Sequence, residues 1–175
     1  EDRKSCTALL NRRNDELHGG GAPFAEYPTS LWLAGFYRAC NALATVLGET
    51  LESALGKDEA AIAIKTLDND QNDIKQRVSS AIAAHRKVFE SKATEEQARL
   101  SKSAADSGAR LSHLRCHRID CPACKSTGLL QGETIGGERV SHSDGAIIVR
   151  QSMAPTSFAC SACDLKLNGY SELAA

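Results

Sequence analysis

The sequence predicts a mainly α-helical protein that ends in a small β-rich metal module. Three observations lead there. Apolar stripes at helical spacing recur up to about residue 114. Short β-type runs flanked by glycine appear only after Arg115. Two C-x-x-C pairs, Cys121–Cys124 and Cys160–Cys163, bracket those runs. The 175 residues fit one domain or two small ones, and 42% hydrophobic with 25% charged is an ordinary globular composition. The expected segments are a helical bundle domain over 1–56, a long helical connector over 57–114 and a zinc ribbon over 115–175.

The first helix is expected over residues 3 to 18, where Cys6, Leu9, Leu10 and Leu17 form one stripe. Gly19-Gly20-Gly21 and Pro23 end it. After Pro28, with Thr29 or Ser30 as the cap, a second helix is expected to run to about Leu55, with Gly56 closing it. Its main stripe is Leu33, Phe36, Tyr37, Cys40, Ala44, Leu47, Leu51 and Leu55, while Trp32, Ala39, Leu43 and Val46 cover much of the rest. A helix so apolar round its circumference belongs in a core or a subunit interface. From Asp58 to about Ser112 good helix formers dominate, with a narrower stripe at Ile74, Val78, Ala81, Ile82, His85 and Phe89. One or two long helices with a solvated far end are expected, open to interruption at Asp68–Asp73. That stretch is not a calcium loop, because its sixth position is Asp73 rather than Gly and its twelfth Ser79 rather than Glu. After Arg115, two short strands are separated by a polar, Gly-rich hairpin, Gly136 to Gly145.

The formal net charge of −1 excludes a uniformly basic nucleic-acid binder, so any such site must be a local patch. No apolar run is long enough to span a membrane, and no signal peptide is legible. The first residue is Glu1 and the only methionine is Met153, so the chain is expected to be a piece of a longer protein. The seven cysteines are odd in number and partly paired as C-x-x-C, which suits a metal and a reducing, cytoplasmic setting better than a disulfide framework. Cys6 and Cys40 are expected to be small buried hydrophobes.

Cys121, Cys124, Cys160 and Cys163 are the strongest chemical signal. Two thiolates three residues apart grip one face of a tetrahedral Zn²⁺, and a second pair closes it. A thioredoxin-like redox pair is the weaker alternative, since there are two pairs and no βαβ context. Four thiolates leave no open position, which makes the zinc structural rather than catalytic. Cys116 and His117 lie close enough in sequence to replace one ligand. Arg110, Arg115 and Arg118, with His113 and His117, form a basic stretch that would suit phosphate contacts with RNA, or equally a solvated helix end. No aromatic row accompanies it to stack single-stranded bases.

The stretch Leu9–Gly21 remains. On a helical wheel Arg13 falls near the middle of the apolar stripe, and Asn14 and His18 stack along its flank at i and i+4. An arginine there is costly unless it meets an anion, is ion-paired, or snorkels to solvent. The unit Arg13-Asn14-Asp15-Glu16-Leu17-His18-Gly19 resembles the motif of the HEPN family of ribonucleases and nucleotide-binding domains: Arg, four to six residues, then His, often with Asn after the Arg and Gly after the His. The resemblance covers about residues 3 to 56. It implies an α-helical bundle forming a homodimer, with two motifs facing across a cleft. It also implies metal-independent RNA cleavage in which the 2′-hydroxyl attacks the adjacent phosphate. On that analogy His18 handles the proton, Arg13 clamps the phosphate, Asn14 orients either, and Arg12 adds a phosphate contact or substitutes for Arg13. The family's motif follows one or two earlier helices, so these are expected upstream of Glu1.

The resulting expectation is a HEPN-type endoribonuclease, of the toxin or antiphage kind, with a zinc ribbon for docking RNA or a regulatory protein partner. The competing one is a non-catalytic dimeric adaptor or nucleotide-binding protein whose ribbon binds nucleic acid or protein. Exposure separates enzyme from adaptor: Arg13 and His18 open to a shared cleft in the first, Arg13 paired to Asp15 or Glu16 and His18 packed in the second.

Overall fold

A computed structural model describes residues 2–25, 27–111, 116–143 and 145–175, with the backbone alone described at 2–5, 110, 111 and 143. Helices fill the first two thirds and an antiparallel sheet the last third, as composition and periodicity require. The chain divides into two compact units, Glu1–Asp73 and Ile74–Ala175. The division falls inside one helix, so the expected connector 57–114 contributes to both units.

In the first unit, α1 (Asp2–Gly19) stops where Gly20 turns left-handed at φ 65°. A short 3₁₀ turn at Thr29–Leu31 leads into α2 (Leu33–Val46). The expected single helix to Leu55 is broken. Gly48 takes φ 72°, and the Thr50 side chain caps α3 (Leu51–Leu55) in a reciprocal box with Ser53. Apolar spacing runs unbroken through Leu47, Leu51 and Leu55, so periodicity alone could not reveal this break; the Gly48-Glu49-Thr50 punctuation carries it. Gly56 closes α3 at φ 83°, and α4 (Lys57–Glu90) follows without interruption at Asp68–Asp73. The core here is thin: Tyr37, Leu51, Ala60 and Ala63, with Leu33, Cys40, Leu55 and Leu67 packed against it. Two polar ties reinforce it, from the Tyr37 hydroxyl to the Glu59 carboxylate and from Arg38 to Asp70. Outside the core, Leu43 is 64%, Val46 84% and Leu47 76% exposed.

In the second unit, the later part of α4 presents the predicted stripe Ile74, Val78, Ala81, Ile82 and Phe89 to a single core. Helix α5 (Thr94–Leu111) adds Leu100 and Ala104. The sheet has the order β1 (Cys116–Asp120), β2 (Thr127–Ser143), β3 (Ala146–Ala159), β4 (Lys166–Asn168), all antiparallel, and α6 (Gly169–Leu173) ends the unit. The expected Gly136–Gly145 hairpin forms between β2 and β3, and most of it is strand. The long ladder absorbs Gly136 and Gly137 as an irregularity between Ile135 and Arg139, then re-pairs Arg139 with Arg150. The far end of α5 is largely exposed, as expected, and only one face of it packs. Gly108 is buried there, and a Cβ on it would stand 3.1 Å from the Thr127 methyl of β2. No helix among the described residues is long and apolar enough to cross a membrane.

Candidate functional site

The four cysteines of the two C-x-x-C pairs converge. All four sulfur atoms lie within 4.8 Å of one another, with Cys121–Cys163 and Cys124–Cys160 each 3.6 Å apart. These separations exclude disulfides, whose sulfurs sit at about 2.05 Å. They match the edge of a tetrahedron with metal–sulfur bonds of about 2.3 Å, which is roughly 3.8 Å. The two knuckles are built alike. In each, the residue after the second cysteine is left-handed, Lys125 at φ 63° and Asp164 at φ 60°. This folds the chain back so that the Cys121 amide donates to the Ser126 carbonyl and the Cys160 amide to the Leu165 carbonyl, at 2.8 and 2.9 Å. Cys121, Cys160, Cys163, Ala123, Ala162 and Leu165 are all buried.

The clustered thiols shift one another's protonation in opposite directions. A hydrogen bond from Cys160, helped by the Cys124 and Ala123 amides, draws the Cys121 thiol down to about 5 against its burial. The same contact with Cys121, then burial, pushes Cys160 up. Burial first, then the neighbouring thiols, lifts Cys163 to about 12. Four thiolates this close cannot coexist without a positive charge between them. Cys116 and His117, on β1, lie outside the cluster.

The helices hold this centre from outside. His85 Nδ1 lies 2.7 Å from the Cys163 carbonyl, and Arg86 donates to the carbonyls of Pro122 and Ala123 at 3.0 and 3.2 Å. Ser101 of α5 shares a 2.7 Å hydrogen bond with Ser126. Periodicity places His85 on the apolar stripe and carries no signal for Arg86. The available signal was a histidine among aliphatic residues with no polar partner in its own helix.

A second feature lies in the helical unit. A cleft of about 570 Å³ runs between α1 and α2, walled by Leu9, Leu10, Phe24, Trp32, Phe36 and Leu43, with Arg13 and Glu59 as its charged members. Its aromatic side is an edge-to-face series, Phe24–Trp32 at 5.9 Å and Trp32–Phe36 at 6.1 Å between centroids. The Trp32 indole nitrogen is buried there without a hydrogen-bond partner. Arg13 is exposed and makes no hydrogen bond or ion pair among the described residues. His18 is exposed in the last turn of α1 and Asn14 half-buried, and neither lines the cleft. Arg12 is engaged: it donates to the Pro23 carbonyl at 3.1 Å and lies 3.8 Å over the Tyr27 ring, pinning the following loop to α1.

Of the basic stretch, Arg118 is exposed on β1 beside Ile119, Asp120 and Thr127, and its aliphatic stem borders Gly108. Arg115, His113 and the Arg110 side chain fall outside the described residues. No protein-family model, curated protein or solved structure matches the chain.

Proposed function

We propose that this protein is a metal-independent endoribonuclease of HEPN type, of the toxin or antiphage kind, stabilised by one structural zinc. The observation that carries the nuclease reading is Arg13: an exposed guanidinium without a carboxylate partner, at the mouth of an apolar cleft, on a helix that also exposes His18. An ion-paired Arg13 and a packed His18 would have spoken for the adaptor. Five residues along one helix turn two side chains roughly 140° apart and shift them about 7.5 Å along the axis. One copy therefore presents the pair poorly to a single phosphate, and a two-fold dimer supplies the composite cleft. There the RNA 2′-oxygen bonds to phosphorus as the bond to the 5′-oxygen breaks, leaving a 2′,3′-cyclic phosphate and a 5′-hydroxyl. His18 serves as the proton carrier, and Arg13 offsets charge on the pentacoordinate phosphorus. Asn14 orients one of them. Arg118, with Arg110 and Arg115, contacts the RNA backbone.

Zinc is the ion the four thiols suit best: soft ligands, tetrahedral spacing and a closed set favour a structural zinc. The ribbon would then dock RNA or a regulatory protein. The adaptor keeps one observation of its own, that His18 stands outside the cleft.

Incubation of the full-length protein with total RNA in EDTA tests the reading. Cyclic-phosphate products from the parent, reduced about 10²–10⁴-fold by His18→Ala, are expected. Undiminished cutting by His18→Ala would leave the adaptor.

A further inference from the structure

We propose that His85, Arg86 and Ser101 are positioning residues of the metal centre, so that the helical pair α4–α5 is an integral part of the metal module and zinc locks it in place. The inference rests on the zinc reading above. A zinc ribbon of this size has little core of its own and depends on its metal to fold. Here the core continues into the helices: Ile74, Val78, Phe89 and Ala104 are buried in the same cluster as Cys121, Cys160, Cys163, Phe158 and Leu165.

The polar contacts are more specific than the packing. Both knuckles are held, each by a different residue of one helical turn. His85 takes the Cys163 carbonyl at 2.7 Å; a carbonyl only accepts, so Nδ1 carries the proton. Arg86 spans the Pro122 and Ala123 carbonyls, inside the first C-x-x-C. Ser101 reaches the same knuckle from α5 through Ser126, whose carbonyl receives the Cys121 amide.

The Pro122 and Ala123 carbonyls belong to the peptide units whose amides, Ala123 and Cys124, point at the Cys121 sulfur, and the Cys163 carbonyl belongs to a ligand residue itself. Fixing them fixes the cradle before metal arrives, as outer-shell partners do for other metal ligands. The converse follows by linkage: what the helix gives to zinc affinity, zinc gives to the helix end.

The test uses the full chain. Zinc affinity is measured by competition with a chromophoric chelator for the parent, His85→Ala, Arg86→Ala and Arg86→Lys. Val78→Ala serves as control, since it removes apolar volume from the same core cluster but no hydrogen bond to a knuckle. Amide exchange over residues 78–90 is followed with and without EDTA, and cobalt(II) replaces zinc as a spectroscopic probe.

His85→Ala and Arg86→Ala should each weaken zinc about 10- to 100-fold. Arg86→Lys should recover part of that loss, and Val78→Ala should change affinity by much less than either. EDTA should deprotect the α4 amides, and the cobalt charge-transfer bands should shift in the two alanine variants. Parent-like affinity in both alanine variants, or α4 amides equally protected with and without metal, would overturn the inference while leaving the zinc site standing. Parent protein free of zinc and without cobalt–thiolate bands would remove both.

Discussion

Tyr37 illustrates how much one buried side chain carries in a thin core. It is 2% exposed, and its hydroxyl is tied to Glu59. That hydrogen bond, followed by burial, raises its pKa to about 12. The folded state therefore holds the phenol proton more tightly than the unfolded chain. The resulting stability is complete below the unfolded value near 10 and is lost as pH rises through the folded one. Alkaline titration of the helical CD signal should show a loss between about pH 10 and 12, and Tyr37→Phe should flatten it. At Arg13 and His18 the expectation is the reverse, because neither is packed. Arg13→Ala and His18→Ala should melt within a few degrees of the parent, since exposed substitutions fall within about 0.5 kcal/mol. Calorimetry checks this, and a sharply lowered melting temperature for Arg13→Ala would mark it as structural.

At the scale of elements, the knuckles and the ladder between them set each other's geometry. Contact with Cys121 and then burial raise the Cys160 pKa, and burial first raises that of Cys163. Zinc at the proposed site would displace the thiol protons, so its affinity should fall as pH drops from 8 to 6, with proton release on titration in weak buffer. Calorimetric titration in buffers of different ionisation enthalpy measures that release. The β2–β3 ladder is fixed by a close approach instead: a Cβ at Gly128 would lie 2.3 Å from the Phe158 ring, beside the second knuckle. Gly128→Ala should cost about 1–3 kcal/mol by overpacking, read as a lower denaturant midpoint of the zinc-loaded protein. The glycine was legible as a strand residue in the sequence. Its partner, thirty positions on, was not, because only the register brings Gly128 and Phe158 together.

For the whole molecule, the exposed apolar residues of the helical unit bear on the proposed dimer. Leu43, Val46 and Leu47 are more than half exposed on α2 and its end, and Leu10 and Leu17 on α1. Several large apolar side chains left exposed on two helices are what the proposed interface would cover. A second copy is the occupant that the composite-site reading calls for. Light scattering of the full-length protein should give a dimer at micromolar concentration. Val46→Glu, at a residue 84% exposed, should yield a folded monomer with unchanged zinc content and lost RNA cleavage. A monomeric parent would remove the composite cleft.

The sequence by itself determined what local chemistry and periodicity determine. It set the helical majority, the β-rich end, the stop of α1 at its glycines and the two C-x-x-C pairs. Each rests on neighbours within a few residues: a 3.6-residue stripe, a left-handed glycine, a C-x-x-C turn. The tertiary structure decided what depends on residues far apart in the chain. It packed the late part of α4 and α5 into one core with the cysteine cluster. It placed His85 and Arg86 on knuckle carbonyls 78 and 37 residues away. It engaged Arg12 with Pro23 and Tyr27 while leaving Arg13 free at the cleft. Such pairings are selected by the packing of a whole core. A carbonyl carries no side-chain signature, so its partner cannot be read from sequence until the fold brings the two together.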